Sequence, residues 1–101
     1  MSITPRLEIY PDRIEHNART IVALCHENSI SVAGVTKVTC AHPSVVHALV
    51  NAGVEMLADS RLENLQAIRA MELSLPLMLV RIPAQERINE VVEYSDITLN
   101  T

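Results

Sequence analysis

The sequence predicts an α/β domain with a parallel sheet built from repeated βαβ units. Three observations carry that reading. Short apolar runs begin near positions 32, 54, 77 and 96, and a helix-patterned segment fills each gap. Leu75 to Ile82 is a nearly continuous apolar run, broken only by Pro76 and Arg81, which suits a strand covered on both faces. The chain is 49% hydrophobic but only 2% aromatic, so aliphatic side chains must build its core. With 101 residues it is one domain at most, spanning 1–101.

The elements follow in order. Arg6 to Tyr10 alternates polar and apolar residues and reads as a half-buried strand. Pro11 and Asp12 then open a helix, with Asp12 as cap and Glu15 completing a capping box. Ile14, Ala18, Ile21, Val22 and Cys25 give it an apolar face, and Asn28 closes it. Val32 to Lys37 is the first buried strand, and Val38 to His42 is a loop. Pro43 suits the first turn of a helix whose apolar face is Val46, Leu49 and Val50, and Gly53 stops it. Val54 to Ala58 is the second strand. Ser60 and Glu63 form an S-x-x-E capping box, with Leu62, Leu65, Ile68 and Met71 down one side of the helix. After the run at Leu75, Pro83 precedes a short helix with Ile88, Val91 and Val92 inward. Asp96 to Asn100 alternates and reads as the last strand.

Composition excludes several function classes. A net charge of -4 leaves no basic footprint for nucleic acid. No apolar run approaches the ~20 residues of a membrane helix, and Met1 to Arg6 lacks the apolar core of a secretion signal. Cys25 and Cys40 lack metal-ligand spacing, so reduced thiols in a cytoplasmic protein are expected. His16, His26 and His47 have no metal partners at ligand spacing. Tyr10 and Tyr94 read as packing, and no Gly-rich phosphate loop is present.

Parallel α/β sheets place their chemistry at the carboxyl ends of strands. That rule selects Thr36-Lys37, Asp59-Ser60-Arg61, Arg81 and Asn100-Thr101. Lys37 is the only lysine in the sequence and the only nucleophilic amine among these tips. At an apolar mouth its amine would be partly desolvated, which favours the neutral form that attacks an aldehyde. On spacing alone, a surface lysine capping a strand is the simpler reading. Asp59 and Ser60 read most simply as a helix N-cap. Arg61 and Asn64 suit either a solvated helix start or contact with a cofactor or substrate. Arg81 inside an apolar run is either a site residue or half of a structural ion pair. His42 and Cys40 belong to the loop after Lys37.

Three motifs in series carry a family resemblance: Gly34-Val35-Thr36-Lys37-Val38, Ala58-Asp59-Ser60-Arg61-Leu62-Glu63-Asn64-Leu65, and Leu79-Val80-Arg81-Ile82-Pro83. Together with Pro5 to Ile9 and Asp96 to Asn100, they resemble the alanine racemase-like, fold-type III pyridoxal phosphate enzymes. The likeness runs almost end to end and is greatest to the alanine/ornithine racemase branch. It implies that Lys37 carries pyridoxal 5'-phosphate as an internal aldimine and acts as acid and base at the substrate α-carbon. It implies a small amino-acid substrate and a homodimer at full length, and with it the strand-tip placement makes Arg61 and Arg81 the candidate cofactor-binding residues. It also implies a (β/α)8 TIM-type barrel, of which this chain supplies about four βα units. A whole barrel needs about 250 residues, so the chain is expected to be a truncated first half, inactive alone. A non-catalytic pyridoxal phosphate carrier of the same barrel type is the alternative. The D-S-R-x-E-N-L element favours the racemase branch.

Overall fold

Four short strands, each separated from the next by a helix, make one parallel sheet. The computed structural model describes Pro5 and residues 8–99. The element order is α1 (Pro11–Glu27), β1 (Ala33–Val35), α2 (Pro43–Ala52), β2 (Met56–Asp59), α3 (Leu62–Arg69), β3 (Leu77–Leu79), α4 (Ile88–Tyr94) and β4 (Ile97–Thr98). A 3-10 turn follows β1 at Lys37–Thr39, and another precedes α4 at Gln85–Arg87. The strands lie in chain order, β1-β2-β3-β4. Gly34 pairs with Leu57, Ala58 with Met78, and Leu79 with Thr98. A doubly wound sheet reverses its order at a switch point. This one does not reverse, so its winding is that of the first half of a TIM-type barrel.

The core lies between the sheet and its helices. Leu57, Leu65, Ile68, Leu77 and Leu79 are fully buried, with Val46 beside them. Truncating one such leucine to alanine costs about 2–5 kcal/mol. Gly34 lets α2 approach β1, because a Cβ there would sit 3.0 Å from Leu49 Cδ1. Gly53 ends α2 at a φ of 98°, and its N–H donates to the Leu49 and Val50 carbonyls.

The amino ends of the strands are closed by two matching clamps. The Glu55 N–H donates to the Val32 carbonyl at 3.0 Å, and the Glu55 carboxylate accepts the Val32 N–H at 2.5 Å. Asp96 does the same with Leu77, at 2.8 Å in both directions. Each carboxylate also meets a side chain from a neighbouring helix, the His26 ring for Glu55 and the Arg69 guanidinium for Asp96.

Several expectations are corrected. Arg6 and Leu7 lie outside the described residues, and Glu8 to Tyr10 form no strand. Tyr10, at φ -115° and ψ 87°, serves as the residue before α1 and pairs with no strand. Tyr10 is not packed inside. It is half exposed, stacks on the Arg13 guanidinium at 4.5 Å and donates to Glu8. Tyr94 does pack against the core. Pro11 takes the first helical position, so Tyr10 caps α1 and Asp12 sits inside the first turn. Ile21 is exposed, because it lies about 100° round the helix from buried Val22. In α4 only Val91 is buried, and Ile88 and Val92 face outward, since a helix of seven residues presents one narrow side. The strands are shorter than their apolar runs, and Asn100 and Thr101, the expected tip of the last strand, lie outside the described residues.

Candidate active site at the carboxyl ends of the strands

The residue before the lysine fixes the site. Thr36 is 1% exposed and bonds in every direction. Its N–H donates to the Ala58 carbonyl at 3.0 Å and so extends the β1–β2 ladder by one residue. Its carbonyl accepts the Thr39 and Ala41 N–H groups, each at 3.2 Å. Its hydroxyl donates to Asp59 Oδ2 at 2.7 Å. The chain reverses through Cys40 and Ala41, both left-handed at φ 52° and 56°. Lys37 stands at the start of this turn, so its backbone is held by a buried neighbour while its side chain is exposed.

Asp59 is the second anchor. It closes β2 and is fully buried. Besides the Thr36 hydroxyl, it accepts the Arg61 N–H at 2.9 Å and the Asn64 amide at 3.0 Å, both on Oδ1. The expected Ser60–Glu63 capping box does not form. Arg61 occupies the cap position without a side-chain cap bond, which leaves Ser60 one residue before the cap, and the Asp59 carboxylate accepts the Arg61 N–H two residues on. Three donors, none of them charged, hold this carboxylate and tie the tips of β1 and β2 to the start of α3.

Beside this network lies a cleft of about 470 Å³. Arg61, Glu63, Arg81 and Arg87 line it together with Leu79 and Pro83. Arg87 is fixed by two carboxylates, Glu63 and Glu90, each at 2.6 Å. Those bonds, Glu90 first, raise the Arg87 pKa further above its ordinary value. The Glu63 carboxyl is lowered, first by its own backbone N–H and then by Arg87. Neither Arg61 nor Arg81 makes an ion pair among the described residues.

The structure therefore brings Arg61 and Arg81 to one cleft, and places Lys37 at the same end of the sheet but outside the cleft lining. Two expectations about their surroundings are corrected. Lys37 is exposed, because β1 stops at Val35 and the lysine enters a turn. Arg81 is exposed for the same reason, since β3 ends at Leu79. Asn64 is buried on Asp59 instead of lying free at a helix start. His42 caps α2 by accepting the Ser44 N–H on Nδ1, and Cys40 is exposed in the turn. Sequence reasoning missed the Thr36–Asp59 bond and the role of Arg87. Only the three-residue spacing of Arg87 and Glu90 hinted at the latter.

The description "Alanine racemase, N-terminal domain" belongs to the family model that matches residues 9–101. The chain belongs to the alanine racemase family. It is 35% identical over 94 residues, 93% of its length, to the lysine racemase of Thermotoga maritima. It is 34% identical over 97 residues, 96% of its length, to the ornithine racemase of Acetoanaerobium sticklandii. In both comparisons the chain spans 27% of the relative's length.

Members of the alanine racemase family are pyridoxal phosphate enzymes. The donor set at the strand tips fits that group: a primary amine on Lys37 for its aldehyde, and two uncommitted guanidinium groups for its anionic substituents. Among the described residues no three His, Cys, Asp or Glu side chains gather as metal ligands. No helix there is long and apolar enough to cross a membrane.

Proposed function

We propose that the full-length protein is a pyridoxal phosphate-dependent amino-acid racemase of the alanine/ornithine type, and that this chain supplies its cofactor lysine. The observation that carries the reading is the place of Lys37. It is the sole lysine, and it leaves the tip of β1 at the end of the sheet where Arg61 and Arg81 also emerge. Lys37 holds the cofactor covalently through Nζ and moves a proton at the substrate α-carbon. Arg61 binds and orients the cofactor, and Arg81 orients the amino acid beside it. Pyridoxal phosphate, once bound, supplies the electron sink for carbanion chemistry. Alanine, ornithine and lysine are the substrates to test, the last two because the relatives' names carry them. The protein is proposed to work in the cytoplasm as a homodimer, and sedimentation of the full-length chain measures that state.

The test is spectroscopic. Full-length protein mixed with pyridoxal phosphate should show visible absorbance from the bound cofactor, and Lys37→Ala should abolish it. Unchanged absorbance in the variant would end the assignment of Lys37. Racemisation assays on the three amino acids then separate a racemase from a non-catalytic carrier.

A further inference from the structure

The cleft beside Asp59 carries more positive charge than the molecule around it explains. The chain has a net charge of -4, with twelve acidic residues against eight basic ones. Yet the cleft lining contains three arginines and one acidic residue, Glu63. Arg87 is committed to Glu63 and Glu90 and works as a fixed wall. The Arg61 guanidinium feels Glu63 only through space. Arg81 makes no ion pair among the described residues and stands exposed at the cleft. The backbone beneath both is held, because the Arg61 N–H is bonded to buried Asp59 and the Val80 N–H donates to the Asp59 carbonyl at 3.0 Å.

We infer that Arg81, with Arg61 beside it, forms an oxyanion subsite that takes the carboxylate of the amino-acid substrate. The inference rests on the racemase reading and deepens it by assigning one substrate group to one cleft. Guanidinium groups bind carboxylates through paired, charge-assisted hydrogen bonds. Arg87 is a positioning residue: held by two carboxylates, it gives the cleft a wall of fixed shape. A carboxylate held at the tips of β2 and β3 directs the rest of the substrate across the sheet end toward Lys37, at the tip of β1.

The cofactor phosphate is the other oxyanion available, and the experiment distinguishes the two. Full-length wild type and Arg81→Gln, each incubated with pyridoxal phosphate, are titrated calorimetrically with L-ornithine and with its decarboxylated diamine. Visible absorbance of bound cofactor is recorded alongside. The subsite predicts an about 10- to 100-fold weaker ornithine affinity in Arg81→Gln, from the loss of a charge-assisted bond. It also predicts unchanged diamine affinity and unchanged cofactor absorbance. Equal ornithine affinity in the two proteins would overturn it. So would loss of cofactor absorbance in Arg81→Gln, which would assign the cleft to the phosphate. Arg81-dependent ornithine binding in a protein that shows neither cofactor absorbance nor racemisation would overturn the racemase reading and leave the subsite standing. Arg81→Lys should recover part of the ornithine affinity, since the charge returns without the paired geometry.

Discussion

Removing the Asp59 carboxylate tests the anchor that positions the strand tips. Asp59→Ala leaves three donors without their acceptor: the Thr36 hydroxyl, the Arg61 N–H and the Asn64 amide. Their fates differ. The Thr36 hydroxyl has a second acceptor, the Ala58 carbonyl, at 3.4 Å. The Arg61 N–H is partly buried next to an exposed residue, so water can replace the bond. The Asn64 amide is 8% exposed and has no other bond among the described residues. One donor fully unsatisfied and two partly so sum to a loss of about 2–5 kcal/mol. Asp59→Asn should cost less, about 1–2 kcal/mol. Its oxygen can keep the Arg61 and Asn64 bonds while its NH2 donates to the Thr36 oxygen, whose own proton turns to Ala58. Thr36→Val combined with Asp59→Ala should be less damaging than the sum of the two, because both remove the same bond. Urea titration of the full-length protein, followed by circular dichroism, gives the values for both Asp59 variants, Thr36→Val and the double variant. An Asp59→Ala loss under about 1 kcal/mol, or equal losses for the alanine and asparagine variants, would refute the reasoning.

Three further outcomes are expected. Backbone N–H groups hold Glu55 and Asp96 below their ordinary pKa values, Val32 for Glu55 and Leu77 for Asp96, with His26 and Arg69 adding to the effect. Their stabilisation is therefore complete above the unfolded values, about 4, and is lost as pH falls through the folded ones. Glu55→Gln should lower stability at neutral pH and flatten the acid limb of a stability-against-pH curve; an unchanged limb would count against the clamp. Gly34→Ala should cost about 1–2 kcal/mol in urea, because the new Cβ presses Leu49 Cδ1 at 3.0 Å, and Leu49→Ala should relieve part of that cost. Lys37→Ala should leave the urea midpoint where it is, since the side chain is exposed and makes no ion pair among the described residues, while abolishing cofactor absorbance.

Periodicity made the fold legible. Apolar runs of four to eight residues alternating with helical stripes lead to a parallel sheet, and Pro43 and Gly53 mark both ends of α2 correctly. Boundaries and caps were less legible, because competing local partners decide them. The Ser60–Glu63 spacing satisfies the capping-box rule, yet α3 starts with Arg61 as its cap, one residue later than the box needs. The partner that buries Asp59 is Thr36, 23 residues away, and nothing in the local pattern of either residue announces the other. Arg81 illustrates the same limit. Its apolar neighbours suggest burial, but the ladder stops at Leu79, two residues short of it.

The two ends of the sheet divide stability from chemistry. At the amino ends, each acidic clamp has both a backbone donor and a side-chain partner, so its carboxylate is satisfied where it stands. At the carboxyl ends the buried acid, Asp59, is satisfied by a hydroxyl, an amide and a backbone N–H, with no cation spent on it. Arg61 and Arg81 consequently reach the cleft uncommitted. An exposed ion pair there would add only about 0–1 kcal/mol, so leaving these cations unpaired costs the fold little. Their combined positive field in a cleft favours an anion there, as the proposed subsite needs. A chain with a surplus of acidic residues leaves these two guanidinium groups uncovered at one rim, which is what the proposed carboxylate subsite requires.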